Sequence, residues 1–337
     1  MKKENALSAE PLTPDTLQQL ISGFQKSRII LSAFELGIFT ALNPAGATST
    51  AVSQKLNTDP RGTDRLMNAL CALGLLEKSE GRFSNTPFTA QYLVQGQPDY
   101  LAGIGHFGRL WQTWSTLTQA VKVGHAIMAR PVDTREESEV IAFIAAMHQR
   151  ASRRAAEVAA LLDLGGVRRM LDVGGGSGAY AMGFAQAKAD LRAVVFDLPN
   201  VVPLTRQYIE QAGLSDRVST AAGDYLTDDL GQGFDLALLS AVVHSNSPAE
   251  NRKLIAKCAR ALNPRGQLVI QDHAMDEDRA GPAAGALFAI NMLVNTSAGD
   301  TYTEAEMRSW METAGLGEII RKDSGPGGTL LIGIKLS

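Results

Sequence analysis

Five polar features stand at the ends of apolar runs in the second half of this sequence. The stretch "MLDVGGGSGAY" (residues 170–180) closes a hydrophobic segment with Asp172 and then a run of glycines around Ser177. Further on, "VVFDLP" ends in Asp197, "AAGDYL" in Asp224, "LLSAVVHSN" in His244 and "LVIQDH" in Asp272. A glycine-rich turn bares backbone N–H groups and lets a ligand approach closely. An acid roughly twenty residues past such a turn can accept both hydroxyls of a ribose. Histidine ionises near neutrality, so with a carboxylate partner it is suited to taking a proton from a hydroxyl. Together these residues describe a nucleoside-bearing ligand with an acid–base group beside it.

The turn alone leaves two ligands open. Gly174-x-Gly176-x-x-Ala179 satisfies the dinucleotide fingerprint if alanine replaces its third glycine. Three observations favour S-adenosylmethionine instead. A long helical segment precedes the turn, whereas dehydrogenases usually carry the fingerprint near a domain's start. From Leu171 to Ala187 there is no Lys or Arg to meet a phosphate, and a sulfonium needs none. Asp224 also stands where it can hold an adenine amino group.

The elements that must position these residues alternate from Val167 onward as strand and helix, the pattern of a parallel sheet covered by helices. Strands are predicted at 168–173, 192–197, 217–223, 234–243 and 267–272, with a terminal hairpin that includes "GTLLIGIKL". In an open sheet of this kind ligands bind beyond the carboxyl ends of the strands. One helix start is sharply marked: in "SPAE", Ser247 caps, Pro248 opens the first turn and Glu250 completes a capping box. The helix that follows is expected to bury Leu254, Ile255, Cys258 and Leu262.

The first half is different in pattern. From Thr16 to about Val94 it reads as a buried helix over "RIILSAFELGIFTAL" and two short helices over "STAVSQKL" and "DPRGTDRLMNALCALGLL". The last of these should turn Leu66, Leu70 and Leu73 inward, and a hairpin should reverse at Glu80-Gly81. That order is a winged helix. Its charges nearly cancel: Lys55, Arg61, Arg65, Lys78 and Arg82 stand against Asp59, Asp64, Glu77 and Glu80. Reading DNA requires a basic stripe, so dimerisation fits this half better. Residues 108–163 read as connecting helices. Trp111, Trp114 and Leu117 are expected on one face, and a single long helix is expected over "REESEVIAFIAAMHQRASRRAAEVAALLDL" with Phe143 and Met147 on a shared face.

The 337 residues suffice for two domains with proper cores. A net charge of −3 argues against affinity for nucleic acid or anionic membranes. Cys71 and Cys258, with His106, His125, His148 and His273, show no metal-ligand spacing. The opening residues lack the apolar core of a signal peptide, and the longest nearly apolar run, 282–294, falls short of a membrane span. A cytoplasmic protein with no membrane partner is expected.

With those residues in view, the chain resembles the bacterial and plant small-molecule O-methyltransferases that carry an N-terminal winged-helix dimerisation domain, among them the caffeate, acetylserotonin and hydroxyneurosporene methyltransferases. The resemblance runs from "SAFELGIFTAL" to "GTLLIGIKL". Its most specific parts are "LDVGGGSG", "FDLPNVV", "GDYL", the histidine of "VVHSN" and "ALNPRGQLVIQD". It implies an α/β chain: a Rossmann-like class I methyltransferase sheet behind a mostly helical winged-helix dimerisation domain. The implied divisions are 13–107 for dimerisation, 108–163 for connecting helices and 164–337 for the methyltransferase domain.

The resemblance also implies roles for single residues. Gly174 and Gly176 would meet the methionine end of S-adenosylmethionine, Asp197 and Leu198 its ribose side, and Asp224 and Tyr225 its adenine. Ser240 stands where the family has a lysine near the donor. His244 would be the catalytic base. Asp272 falls where a glutamate orients that base, and Asp300, beside Thr301, is a second candidate for that task. Phe143, Met147, Asn291 and Met292 would line the pocket of a small-molecule acceptor. Ser245, Asn246 and Thr301 depart from the plant pattern, which has Asp-Trp at the first two and a glutamate at the third. No metal is required. Alternatives that stay open are an N, C or S acceptor, a relative that binds the donor without methylating, and a winged-helix regulator that senses S-adenosylmethionine.

Overall fold

The computed structural model describes residues 12–325 and 328–336. The opening segment, read above for the absence of a signal peptide, lies largely outside these residues. The described chain divides into two units, residues up to 109 and residues from 110 onward.

In the first unit the helices start where short polar side chains can cap them. Thr48, Asp59 and Thr86 accept from the N–H groups of Ala51, Gly62 and Thr89, opening helices Ser49–Leu56, Pro60–Ala72 and Pro87–Tyr92. The single helix expected over "RIILSAFELGIFTAL" is instead two, Phe24–Leu36 and Ile38–Ala41. Gly37 separates them at φ +74°, a left-handed conformation that ends a helix and that glycine adopts without steric cost. Strands β1 (Leu76–Ser79) and β2 (Arg82–Asn85) pair antiparallel around Glu80 and Gly81, both at positive φ, as a two-residue hairpin turn demands. Ile38, Phe39, Met67, Leu70 and Phe83 are buried at its centre. Leu70 points inward as expected. Leu66 and Leu73 are only half-buried, and Met67 takes the central place.

The second unit is built on a seven-stranded sheet. Its strands are β3 (Arg169–Val173), β4 (Arg192–Asp197), β5 (Val218–Ala222), β6 (Phe234–Ser240), β7 (Leu262–Asp272), β10 (Leu316–Asp323) and β11 (Thr329–Lys335), in the order β10-β11-β7-β6-β3-β4-β5. Strands β3 to β7 run parallel, and β11 is antiparallel to both its neighbours. Two short strands, β8 (Ala274–Met275) and β9 (Tyr302–Thr303), pair parallel beyond the end of β7. Side chains alternate across the sheet. Leu171, Val173, Ala237, Leu239, Leu268 and Ile270 enter one apolar layer, while Met170, Leu236, Leu238 and Val269 enter the other. The expected capping box is present: Ser247 accepts from Glu250 N–H, and Glu250 returns the bond. Leu254, Ile255, Cys258 and Leu262 are all buried behind it.

Three expectations need correction here. The strand expected to run to residue 243 ends at Ser240. Ala241, at φ +56°, turns the chain there, and its N–H bonds the carbonyl of Gln271 at the end of β7. The long helix over residues 135–164 is two, Glu137–Ser152 and Ala155–Ala160. The break lets Ala155 pack against Gly183, where a Cβ would stand 2.5 Å from that of Ala155. Trp111 and Leu117 do not share a helix face either. One helix ends at Trp114 and the next runs Leu117–Val123, so 38% of Trp114 is exposed while its indole reaches Asn291.

Candidate active site

The glycine turn follows β3 directly. Gly174 sits at φ +66°, and a Cβ there would come within 3.0 Å of Val242 and 3.6 Å of Tyr225. Backbone alone therefore faces those two side chains. The neighbouring Gly175 is excluded from carrying a side chain by Asp172, whose carboxylate would be 2.7 Å from its Cβ. Asp172 is wholly buried beneath the turn. One of its oxygens accepts from Ala181 N–H, and the other has no hydrogen-bond partner among the described residues. Burial pushes its carboxyl up to about 7, helped by the nearby charge of Asp197 and opposed by the Ala181 bond.

Asp197, the last residue of β4, folds back over the turn. Its two oxygens accept from Gly176 N–H and Leu198 N–H, each at 2.7 Å. Burial raises its carboxyl, and those two backbone bonds hold it down. A carboxylate has about four lone-pair sites, so two remain for a ligand's hydroxyls. Thr205 ties the same loop from outside, donating to the Gly176 carbonyl at 2.6 Å. Asp224 lies two residues past β5 and closes a local turn, its carboxylate accepting from Leu226 N–H. Leu198, Gly223, Asp224 and Asp228 border a cavity of about 330 Å³. Tyr225 points inward: its hydroxyl donates to Asn246 Oδ1 at 3.1 Å, and burial pushes its phenol up to about 12. Ser240, read as a donor contact, donates to Gln271 Oε1 at the ends of β6 and β7.

His244 lies in a 3-10 turn, Val243–Ser245, just past β6. Its Nδ1 is 2.9 Å and 3.0 Å from the two oxygens of Asp272, and its backbone N–H reaches the same carboxylate at 3.2 Å. The N–H of His273 adds a further donor at 2.9 Å. Burial alone would raise the Asp272 carboxyl. The charge and hydrogen bond of His244, with the backbone N–H groups of His273 and His244, outweigh it and hold Asp272 below the usual carboxylate range. An anion at Nδ1 keeps the proton on that nitrogen and leaves Nε2 as the basic one. The His244 side chain is 12% exposed and Asp272 only 4%, so this pair works in a dry setting. Asp300 does not orient the imidazole. Its carboxylate faces Arg279 and its own loop, and only its N–H touches residue 244, at the carbonyl.

The residues read as lining an acceptor pocket divide between two helices. Phe143 and Met147 are half-buried one turn apart on helix Glu137–Ser152, with Phe143 packed in a cluster that includes Leu198. Met292 is buried in helix Ala283–Asn295. Asn291, beside it, is occupied structurally: its Oδ1 accepts from Trp114 Nε1 at 2.9 Å and from Asn295 Nδ2 at 3.0 Å.

Four participants escaped the sequence reading. Phe288 presents its face or edge to both His244 and His273, with ring centroids 4.8 Å and 4.7 Å away. It lies four residues before Met292, on the same helix face, so helical spacing offered a signal. His148 hydrogen-bonds Ser177 of the glycine turn at 2.9 Å and stacks on Tyr208. Asn246, read only as a departure, links Tyr225 to Asn251 and so braces the turn that carries His244. Asp172 was quoted within the glycine motif without a role. For these last three no spacing rule applied, because their partners are distant in sequence.

A sequence model described as the O-methyltransferase domain matches residues 115–317, and one described as the O-methyltransferase dimerisation domain matches residues 18–95. The chain is 36% identical, over 91% of its length and 90% of the relative's, to 3-hydroxy-5-methyl-1-naphthoate 3-O-methyltransferase of Streptomyces sahachiroi. It is 30% identical, over 96% of its length and 97% of the relative's, to the tetracenomycin polyketide synthesis 8-O-methyl transferase of Streptomyces glaucescens. Human N-acetylserotonin methyltransferase, solved in complex with S-adenosylmethionine, superposes with a TM-score of 0.81 at 26% identity, covering 98% of this chain and 99% of that one. The doubly covered sheet, the glycine turn and these matches define a methyltransferase of class I architecture. The chain belongs to the O-methyltransferase family with an N-terminal dimerisation domain, and S-adenosylmethionine is its methyl donor.

Proposed function

We propose that this O-methyltransferase acts on a hydroxyl, of phenolic type, carried by a small aromatic metabolite, with His244 as the general base. The observation that carries the reading is the His244–Asp272 pair, buried at the ends of β6 and β7 with both carboxylate oxygens on Nδ1. An unperturbed phenol loses its proton near pH 10, so at neutral pH it is a poor nucleophile without a base. Nε2 of His244 takes that proton as the oxygen attacks, and Asp272 stabilises the imidazolium that results. General-base assistance of this kind contributes about 10²–10⁴-fold. S-adenosylmethionine, when bound, supplies an electrophilic methyl group on a sulfonium. The remaining acceleration is the holding of two reactants in line.

The residues present suit the donor. Asp172 has an oxygen without a hydrogen-bond partner among the described residues, Gly174 leaves a cradle that a Cβ would fill, and Asp197 has two lone-pair sites in reserve. Gly174 and Gly176 would hold its methionine end, Asp197 and Leu198 its ribose, and Asp224 and Tyr225 its adenine. Phe143, Met147 and Met292, with Phe288, would surround the acceptor. The two Streptomyces relatives are both named for methylation at a hydroxyl position, the first on a naphthoate, which supports an aromatic acceptor.

The active form is a homodimer joined through residues 13–107, with 108–163 as connecting helices and 164–337 as the methyltransferase domain. Support comes from Leu17, Leu20 and Ile21, an i, i+3, i+4 stripe on helix Pro14–Ser22 that is 46–66% exposed in the first unit. Free Cys71 and Cys258 fit a reducing, cytoplasmic setting. The direct test is a panel of phenols assayed for S-adenosylhomocysteine release. Turnover of one or more supports the reading, and turnover confined to amines or thiols overturns it.

A further inference from the structure

Between Val173 and Ala179 the chain carries one side chain, that of Ser177. Gly174, Gly176 and Gly178 all take positive φ, so this turn is a backbone shape with little of its own to hold it. Its ties come from outside. Asp197 accepts from the Gly176 N–H at 2.7 Å, and Thr205 donates to the Gly176 carbonyl at 2.6 Å. The third tie is to the side chain: Nδ1 of His148 and the Ser177 hydroxyl share a hydrogen bond at 2.9 Å. Ser177 is only 3% exposed, so water offers that hydroxyl little in exchange.

His148 is itself held in place. Its ring stacks on Tyr208, with centroids 4.1 Å apart and planes 20° from parallel. Tyr208 lies three residues past Thr205 on the same face of helix Val202–Gln211. That helix thus meets the turn directly through Thr205 and again through the imidazole. Burial holds the His148 ring below the ordinary histidine range. At neutral pH the ring is uncharged, and either partner can supply the proton of the bond. One turn earlier on helix Glu137–Ser152, buried Ile144 packs with Val201 and Tyr208. Its Cδ1 would stand 3.7 Å from a Cβ on Gly176. The helix therefore rests on the glycine turn at two points one turn apart. It also carries Phe143 and Met147, the residues just before Ile144 and His148.

We infer that His148 is a positioning residue for the methyl donor: through Ser177 it holds the glycine turn in its binding shape and passes donor binding on to helix Glu137–Ser152. This inference rests on the proposed placement of the donor at the glycine turn. A donor that settles the turn settles Ser177, and the bond to His148 then fixes the helix that carries Phe143 and Met147. The coupling is reciprocal, so a helix cut loose from the turn weakens the donor. One connected piece of structure thereby helps to align the two reactants.

The test uses the full chain and S-adenosylhomocysteine. His148→Phe keeps a ring on Tyr208 and removes the bond, while Ser177→Ala removes it from the other side. Each should weaken calorimetric binding about fivefold to thirtyfold, the effect of losing one buried hydrogen bond and leaving its partner unsatisfied. The double variant should lose no more than the worse single one, because both remove the same bond. His148→Asn, whose amide can reach the place of Nδ1, should recover part of the affinity. Hydrogen exchange adds a readout that a merely structural role leaves alone. S-adenosylhomocysteine should slow exchange in the glycine turn of both wild type and His148→Phe, but in helix Glu137–Ser152 of the wild type only. Ser177→Ala, which removes a single oxygen, carries the same exchange test if His148→Phe does not fold. Wild-type affinity in both single variants, losses that multiply in the double variant, or equal protection of the helix with and without the bond would each overturn the inference. Asp197→Ala binding S-adenosylhomocysteine as tightly as the wild type would instead strike the placement of the donor on which it rests.

Discussion

Asp272 gives both carboxylate oxygens to His244, at 2.9 Å and 3.0 Å from Nδ1, and receives the backbone N–H of the same residue at 3.2 Å. The acid thus fixes the ring and the turn that carries it. Asp272→Asn should lower kcat by at least about tenfold, since the imidazolium formed during reaction loses its counter-charge. Single-turnover rates, with S-adenosylhomocysteine affinity measured beside them, check it. An unchanged rate would show that Asp272 only shapes the fold.

Asp172 gives a pH dependence of opposite sign to the usual carboxylate. Its folded value of about 7 lies above the unfolded 3.8, so the native chain binds the extra proton between those limits. Stability from this residue is present below about pH 4 and is lost as pH rises through 7, an effect of at most about 4 kcal/mol. Asp172→Asn, which has no charge to bury, should raise the Tm of the ligand-free protein at pH 8 more than at pH 5. Equal shifts at the two pH values would contradict the assignment. Asp272, held low, works the other way: its contribution is full above the unfolded value and falls away as pH drops below it.

Asp197 spans the glycine turn and the start of the next segment through Gly176 and Leu198. Asp197→Ala should weaken S-adenosylhomocysteine binding by about a hundredfold or more, from the loss of charge-assisted bonds to both the ligand and the loop. Calorimetry decides it. Asp197→Asn, which leaves the loop one acceptor, should lose less. Equal affinity in all three proteins would remove Asp197 from the donor site.

The exposed stripe of Leu17, Leu20 and Ile21 on helix Pro14–Ser22 predicts a dimer of the 35.9 kDa chain in light scattering. Leu20→Asp with Ile21→Asp should shift the mass toward a single chain. A wild-type monomer at micromolar concentration would contradict that reading.

Much of this was legible in the residues, and the exceptions share a cause. Strand ends, the capping box at Ser247 and the hairpin turn at Glu80-Gly81 are set by neighbours in sequence, so local chemistry sufficed. The breaks at Gly37 and Arg153–Arg154, and the early end of β6, come from packing or from a single positive φ at Ala241. Periodicity does not register such features. The same holds within the site. His244, Asp197 and Asp272 sit at or near strand ends, where position alone marks them. Phe288 and His148 matter through contacts made across the fold. Ser245-Asn246 looked like a defect by resemblance, yet Asn246 joins Tyr225 and Asn251 behind the histidine turn.

The central claim is that His244 removes the acceptor's proton, and the rate of His244→Ala with an unactivated phenol tests it most directly. Turnover should fall at least about a hundredfold while S-adenosylhomocysteine affinity stays near that of the wild type. A phenol acidified by ring nitro groups, already ionised at neutral pH, should lose far less. A near-normal rate on the unactivated phenol would contradict the account.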